Sequence, residues 1–147
     1  MIAAAPIDPV ALLAAFTAGV AGAGAIASFT GLVRSDDGDV SALWLDHHPT
    51  LTEQVIAEIA TEAESRFAVS AVHITHRVGA VAAGEPIVFV AAAARHRRAA
   101  FEAVDYMMDR LKTDAPLWKR EQRGDTQLWI EARESDHRDR ARWETKR

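Results

Sequence analysis

The sequence predicts an α+β domain, a mixed or antiparallel sheet with helices packed on it. Helical and extended periodicities alternate irregularly along the chain, turn chemistry falls between short strands, and no strand opens through a glycine-rich turn into a helix. The GAG at Gly22 to Gly24 is followed by extended sequence where a dinucleotide fingerprint needs a helix. At 147 residues, 49% of them hydrophobic, the chain suits a single domain over 1–147 with a substantial core.

The first helix is expected over 10–18, because Asp8 offers an N-cap acceptor and Pro9 a preset ring at N1, with Gly19, Gly22 and Gly24 ending it. Residues 24–34, GAIASFTGLVR, alternate as a strand that Arg34 ends. The SDDGD turn at 35–39 and a second strand over 40–47 make a hairpin the expected connection. After His47, His48 and Pro49, Thr50 and Glu53 form a candidate capping box for a helix reaching Phe67, with Val55, Ile59 and Ala63 on its apolar face. Residues 71–78 read as a half-buried strand, Val72, Ile74 and Val78 opposing His73, Thr75 and Arg77. A loop is expected over 79–86, GAVAAGEP, and the apolar run IVFVAAAA at 87–94 fits a central strand buried on both faces.

The helix expected over 99–112 carries an apolar stripe of Phe101, Val104, Met108 and Leu111, with Asp105 at its edge, and Pro116 forbids its continuation. Beyond the proline, Leu117 and Lys119 share one face of a strand and Trp118 and Arg120 the other. A turn at Gly124 and Asp125 leads to a last strand over 126–133. From Glu134 the tail ESDHRDRARWETKR is densely charged and reads as a surface or mobile segment anchored by Trp143.

Composition excludes several functions. With 17 Lys and Arg against 21 Asp and Glu, the net charge of -4 argues against nucleic-acid binding by bulk charge, so any anion site is a local cluster. The absence of cysteine removes disulfides, thiolate metal sites and a cysteine nucleophile. His73 and His76 lack carboxylate partners at ligand spacing and His47 and His48 point to opposite faces, so neither metal nor cofactor is expected. The opening MIAAAPIDPVALLAAF lacks a basic n-region and no run reaches membrane length, which makes a cytoplasmic protein the expectation.

Two local clusters remain. Arg95, His96, Arg97 and Arg98 stand where a strand runs into a helix N-terminus, where cations and backbone amides can hold one phosphate; an acid compensating the arginines is the competing structural reading. In KTDAPLWKRE, residues 112–121, the amines of Lys112 and Lys119 could converge on one anion. Alternatively, Lys112 complements the helix dipole and Lys119 is a solvated strand residue.

Taken together, FTGLVR at 29–34, LDHHP at 45–49, HRVG at 76–79, RHRRAAFEA at 95–103, LKTDAPLWKRE at 111–121 and EARESD at 131–136 resemble the large, catalytic subunit of molybdopterin synthase. The resemblance spans residues 24–143 and rests above all on the LKT-x-AP-x-WK block. It implies an α/β-hammerhead-type fold, a homodimer, and a small ubiquitin-like sulfur-carrier subunit at each end. That subunit's Gly-Gly thiocarboxylate donates sulfur to cyclic pyranopterin monophosphate, building the dithiolene of molybdopterin. On the matching positions the resemblance makes Lys119 and Lys112 the catalytic pair and Arg34, His96, Arg97 and Arg133 the substrate-binding set, built partly from the opposite protomer. Leu32, where relatives commonly carry lysine, and His48, where an aromatic is frequent, depart from the pattern. No ubiquitin-like segment ending in Gly-Gly is present, so a separate partner is expected. The competing functions are a non-catalytic module holding a carrier protein's acidic tail, and a phosphate or nucleotide binder outside this chemistry.

Overall fold

The computed structural model describes residues 1–34, 40–123, 126–130 and 133–144. The SDDGD turn, the turn at Gly124 and Asp125, Glu131 and Ala132 of the expected last strand, and residues 145–147 of the tail lie outside them. In chain order the elements are β1 (Ile2–Ala3), α1 (Pro9–Ala18), β2 (Ala25–Leu32), β3 (Val40–His47), α2 (Leu51–Arg66), β4 (Val69–Arg77), β5 (Gly79–Ala82), β6 (Pro86–Ala94), α3 (Arg97–Thr113), β7 (Leu117–Arg123), β8 (Thr126–Ile130) and α4 (Glu134–Ala141). The strands form two four-stranded sheets, one ordered β1-β4-β6-β2 and the other β5-β3-β7-β8. A mixed α+β architecture is thus observed. Among the described residues no helix is long and apolar enough to cross a membrane.

β6 organises the first sheet. Its apolar run, buried from Val88 to Ala94, is flanked by antiparallel β4 and β2, and its small alanines let helices approach both faces. On one face Val88, Val90, Ala92 and Ala94 pack with Ile56, Ile59 and Ala63 of α2 and Ala100, Ala103, Val104, Met107 and Leu111 of α3. α1 lies against β6 and β2, its start fixed as expected by the Asp8 carboxylate, which accepts from the Val10 and Ala11 amides at 3.1 and 3.2 Å. Phe16 of α1 sets its ring edge-on to His73, so β4 is buried beyond the half-buried expectation; Thr75, His76 and Arg77 all fall inside.

The expected hairpin between 24–34 and 40–47 does not form. β2 pairs with β6, Ala25 opposite Ala94 and Gly31 opposite Val88, while β3 crosses to the second sheet and pairs with β5 and β7. The physical reason is that β6 offers β2 a buried apolar partner, and the chain crosses at Val33, which packs on Leu43, Leu45 and Val81 of the second sheet. The stretch expected as a loop over 79–86 contains β5 and the start of β6. Gly79, at φ +87°, makes the turn into β5, and the buried Arg77 guanidinium holds that corner through Glu85 at 3.3 Å and the Ala80 carbonyl at 3.0 Å.

Two further expectations are corrected, and the tail gains a partner. Thr50 caps nothing: the His48 Nδ1 accepts from the Thr50 and Leu51 amides, and the Glu53 carboxylate accepts from Ile2 N. The fully buried Thr52 hydroxyl instead takes the His48 N–H at 2.8 Å and donates to the Pro116 carbonyl at 2.9 Å, tying the start of α2 to the entry of β7. Losing both bonds would cost about 1–3 kcal/mol. On α3 the buried stripe runs Ala100, Ala103, Val104, Met107 and Leu111, because the small alanines face the sheet; Phe101 is 64% exposed. The charged tail contains a helix, α4, packed on α3. Arg140 meets Asp114, Arg142 meets Asp105 and Asp109, and Trp143 is buried edge-on to Phe67 and Tyr106, so its charges have partners that composition alone does not reveal.

His76 carries a pH signature. Burial, and secondarily the Lys119 charge, hold its imidazole neutral down to a pKa of about 4, although its Nδ1 sits 2.8 Å from the Arg77 carbonyl. The unfolded chain binds the proton near pH 6.5, so this contribution is complete above that pH and is lost as pH falls toward 4, about 3 kcal/mol in all. Urea unfolding between pH 7.5 and 4.5 should show the native chain losing more stability than a His76→Gln variant; equal pH slopes would contradict a buried neutral imidazole.

Candidate functional site

Lys119 is placed by register. In the second sheet Gly79, Leu45, Lys119 and Ile130 stand opposite one another on successive strands, which puts Lys119 on the face that Leu45 buries. The turn of the chain at Pro116 brings β7 back beside the end of α3, where Lys112 projects, its side chain about half exposed at 47%. The start of α4 closes the group. The Asp136 carboxylate accepts from the Arg133 backbone amide at 3.0 Å and stands 3.9 Å from the Lys112 amine. Burial lowers the Lys119 pKa below the ordinary lysine value; Lys112 and Arg133 lower it further and, among the described residues, Asp136 opposes them. The site is therefore a desolvated amine flanked by two cations and one carboxylate, able to hold an anion and to exchange a proton more readily than a surface lysine.

The structure brings together Lys112, Lys119 and Arg133 of the expected set. His76 and Asp136, which sequence reading did not place in the site, join them. Asp136 lies within the EARESD motif and the charged tail, and His76 comes near Lys119 because β4 runs directly into β5, whose Gly79 stands in register with Leu45 and Lys119.

His96 and Arg97 lie elsewhere in the chain. They open α3, whose 17 residues at about 1.5 Å each keep them more than about 20 Å from Lys112. With Gly24, Ala25, Arg95, Arg98, Phe101 and Glu102 they line a basic hollow of about 580 Å³ between the start of β2 and the start of α3. Gly24 is required there, since its amide bonds the Ala94 carbonyl at 3.0 Å and a Cβ would overlap the Arg95 carbonyl oxygen. Arg34 leaves β2 at its other end. There His76 stands opposite Val88 and Val88 opposite Gly31, so this end of β2 is two strand spacings, about 10 Å, from His76. Arg34 thus belongs to the Lys119 end of the sheet and His96 and Arg97 to the far end.

Trp118 and Arg120 do share the outer face of β7, as expected. The Arg120 guanidinium lies 5.4 Å from the Trp44 ring centre and 3.4 Å from Asp46, which also accepts from the Trp44 indole at 2.9 Å.

Comparison with known proteins gives one family. The family described as MoaE protein matches residues 2–114. A relative from Caulobacter vibrioides described as molybdopterin synthase catalytic subunit is 50% identical over 139 residues, 95% of this chain and 93% of its own. A solved molybdopterin biosynthesis MoaE protein from Burkholderia ambifaria MC40-6 superposes with a TM-score of 0.84 at 40% identity, covering 99% of this chain and 97% of that one. A Helicobacter pylori structure titled as the complex of subunits 1 and 2 of molybdopterin-converting factor has a TM-score of 0.78 at 22% identity, over 90% of each chain, and shows the same fold.

The charge pattern around Lys119 has a direct readout. Asp136→Asn removes a carboxylate that supports the ammonium, so the Lys119 pKa should fall further, and Lys112→Met removes an opposing cation, so it should rise. Titration of 13C-methylated lysine by NMR should show opposite displacements in the two variants; no movement in either would place Lys119 outside this cluster.

Proposed function

The chain belongs to the MoaE protein family, and from this we infer that the cationic cluster around the half-buried Lys119 is the centre of a sulfur transfer to a pterin phosphate. It is the catalytic subunit of a molybdopterin synthase, a sulfurtransferase of molybdenum cofactor biosynthesis. The observation that carries the site assignment is the gathering of half-buried Lys119 with Lys112 and Arg133, a cluster of like charge that an anion would relieve. The donor is the C-terminal thiocarboxylate of a small ubiquitin-like sulfur carrier and the acceptor is cyclic pyranopterin monophosphate. Both are anionic, which suits a cationic cleft. Lys119 stands nearest the transferring sulfur and moves a proton. Lys112 and Arg133 neutralise the donor's terminus, and Arg34, His96 and Arg97 hold the phosphate and pterin.

The distance between Lys112 and the His96 and Arg97 pair makes a homodimer part of this reading, with the phosphate clamp drawn partly from the opposite protomer. The working compartment is the cytoplasm, where a carrier thiocarboxylate can be regenerated. A non-catalytic module that holds a carrier's acidic tail is the weaker reading, since it needs positive charge but no desolvated amine.

Mixing the chain with a thiocarboxylated carrier and the pterin precursor should give a product whose mass records two added sulfurs. Lys119→Ala should slow that transfer by roughly a hundredfold or more while leaving the fold and carrier binding intact. Lys119→Arg should fail as well, because a guanidinium cannot release a proton near neutral pH. Near-normal turnover in the alanine variant would remove Lys119 from the mechanism, and full rescue by arginine would reduce it to a point charge.

A further inference from the structure

α4 has little of its own to keep it in place. It is eight residues long, ESDHRDRA, with none of them buried, and a helix that short is marginal in water without tertiary contacts. Yet its first turn is set closely against the site. Asp136 stands 3.9 Å from the Lys112 amine and accepts from the Arg133 amide at 3.0 Å, so α4 places both the carboxylate and one of the cations that act on Lys119. The anchors lie at the other end, about 12 Å away along the helix. Just beyond α4, Arg142 meets Asp105 and Asp109, and the buried Trp143 gives its indole N–H to Asp109 at 2.6 Å. On α4 itself, Arg140 reaches Asp114 through Nε at 3.3 Å and a terminal nitrogen at 3.2 Å.

Asp114 is the anchor whose residue type asks for a reason. It is the C-cap of α3, where the helix dipole disfavours an acid. Two arginines offset that cost. One is Arg110, a turn back on α3 and itself bound to Glu62 of α2 and to the Tyr106 hydroxyl; the other is Arg140. Burial disfavours the Asp114 charge, but hydrogen bonds from Arg140 and Arg110 outweigh it and hold the carboxyl below its ordinary value. Asp114 also lies two residues from Lys112, so one carboxylate fixes both the turn that carries Lys112 and the helix that carries Asp136. We propose that Asp114 is a positioning residue for the transfer: through Arg140 it clasps α4 to α3 and keeps Arg133 and Asp136 beside Lys112 and Lys119. The pair is shielded enough for this role, Arg140 and Asp114 being 28% and 25% exposed, whereas Glu144, the other acid on Arg140, is 65% exposed. The catalytic consequence rests on the sulfur-transfer reading; the clasp does not.

Trypsin reads the clasp without substrate. Asp114→Asn should speed cleavage after Arg138 severalfold, located by mass, with cuts elsewhere in the chain unchanged, while Glu144→Gln should leave the native rate. Sulfur transfer from a thiocarboxylated carrier to the pterin precursor, followed in single turnover so that slow chains are still read, should fall roughly ten- to a hundredfold in Asp114→Asn. The discriminating measurement is a kinetic cycle. In a chain already carrying Arg133→Ala and Asp136→Asn, Asp114→Asn should cost nothing more, because the residues it positions are gone. Arg140→Gln should follow the same pattern and supplies the test if Asp114→Asn does not fold. A fall by the same factor in both backgrounds would make Asp114 a stabilising residue only and overturn the proposal. So would native turnover in a folded variant with a labile tail, or a tail cleaved at the native rate. A native chain that transfers no sulfur would refute the function, while the cleavage rates would still decide whether Asp114 clasps α4.

Discussion

A half-buried ammonium set among other cations is the constraint around which the rest of this structure is arranged. Lys119 is partly desolvated and repelled by Lys112 and Arg133, with Asp136 in opposition among the described residues. Such a group persists only if the surrounding fold over-determines its position. Here that support is visible: Leu45 and the register of β3 with β7, the Thr52 bridge from α2 to the Pro116 carbonyl, and the helix start at Arg133 and Asp136. α4 is held in turn by Asp114, Asp105 and Asp109 on α3 and by the burial of Trp143 in an aromatic cluster. The apolar packing of the first sheet provides the stability against which this unfavourable arrangement is maintained.

The same sheet holds the two groups of proposed site residues apart within one chain. β2 and β6 run antiparallel for their whole length, so a residue leaving the end of β2 and a residue leaving the end of β6 are carried to opposite ends of the sheet. Arg34 departs from one end, His96 and Arg97 from the other. No rearrangement within a chain brings them together without unpairing the central strand. On the proposed function a second copy supplies the missing half by symmetry.

Much of this was legible in the residues themselves. The run IVFVAAAA announced a central strand, Asp8 and Pro9 a helix start, and Pro116 the break that returns Lys119 toward Lys112. What failed were judgements about partners. Ser35 to Asp39 looks like a hairpin turn, but strand pairing is decided by the apolar face a strand can find, and β6 outcompetes β3 for β2. Thr50 and Glu53 have capping-box spacing, yet a histidine imidazole took the amides. Phe101 keeps helical period with Val104 and Met108, but period does not distinguish a residue that faces the core from one left exposed on the flank of the helix. The charged tail reads as solvated until the acids on α3 are known to oppose it. Within the site, Lys112, Lys119 and Arg133 were recoverable from motif and chemistry, whereas His76 and Asp136 enter through contacts between distant segments.

The account stands most directly on the sharing of the site between copies. Lys119→Ala and Arg97→Ala chains, each inactive alone, should regain sulfur transfer when mixed and allowed to exchange, because each hybrid dimer carries one site with both residues intact. Random exchange at equal amounts makes half the dimers hybrids with one of two sites restored, or about a quarter of native activity. Recovery near that level is the predicted result. Complete absence of recovery, with hybrid formation verified by mass, would place the whole site within one chain and contradict it.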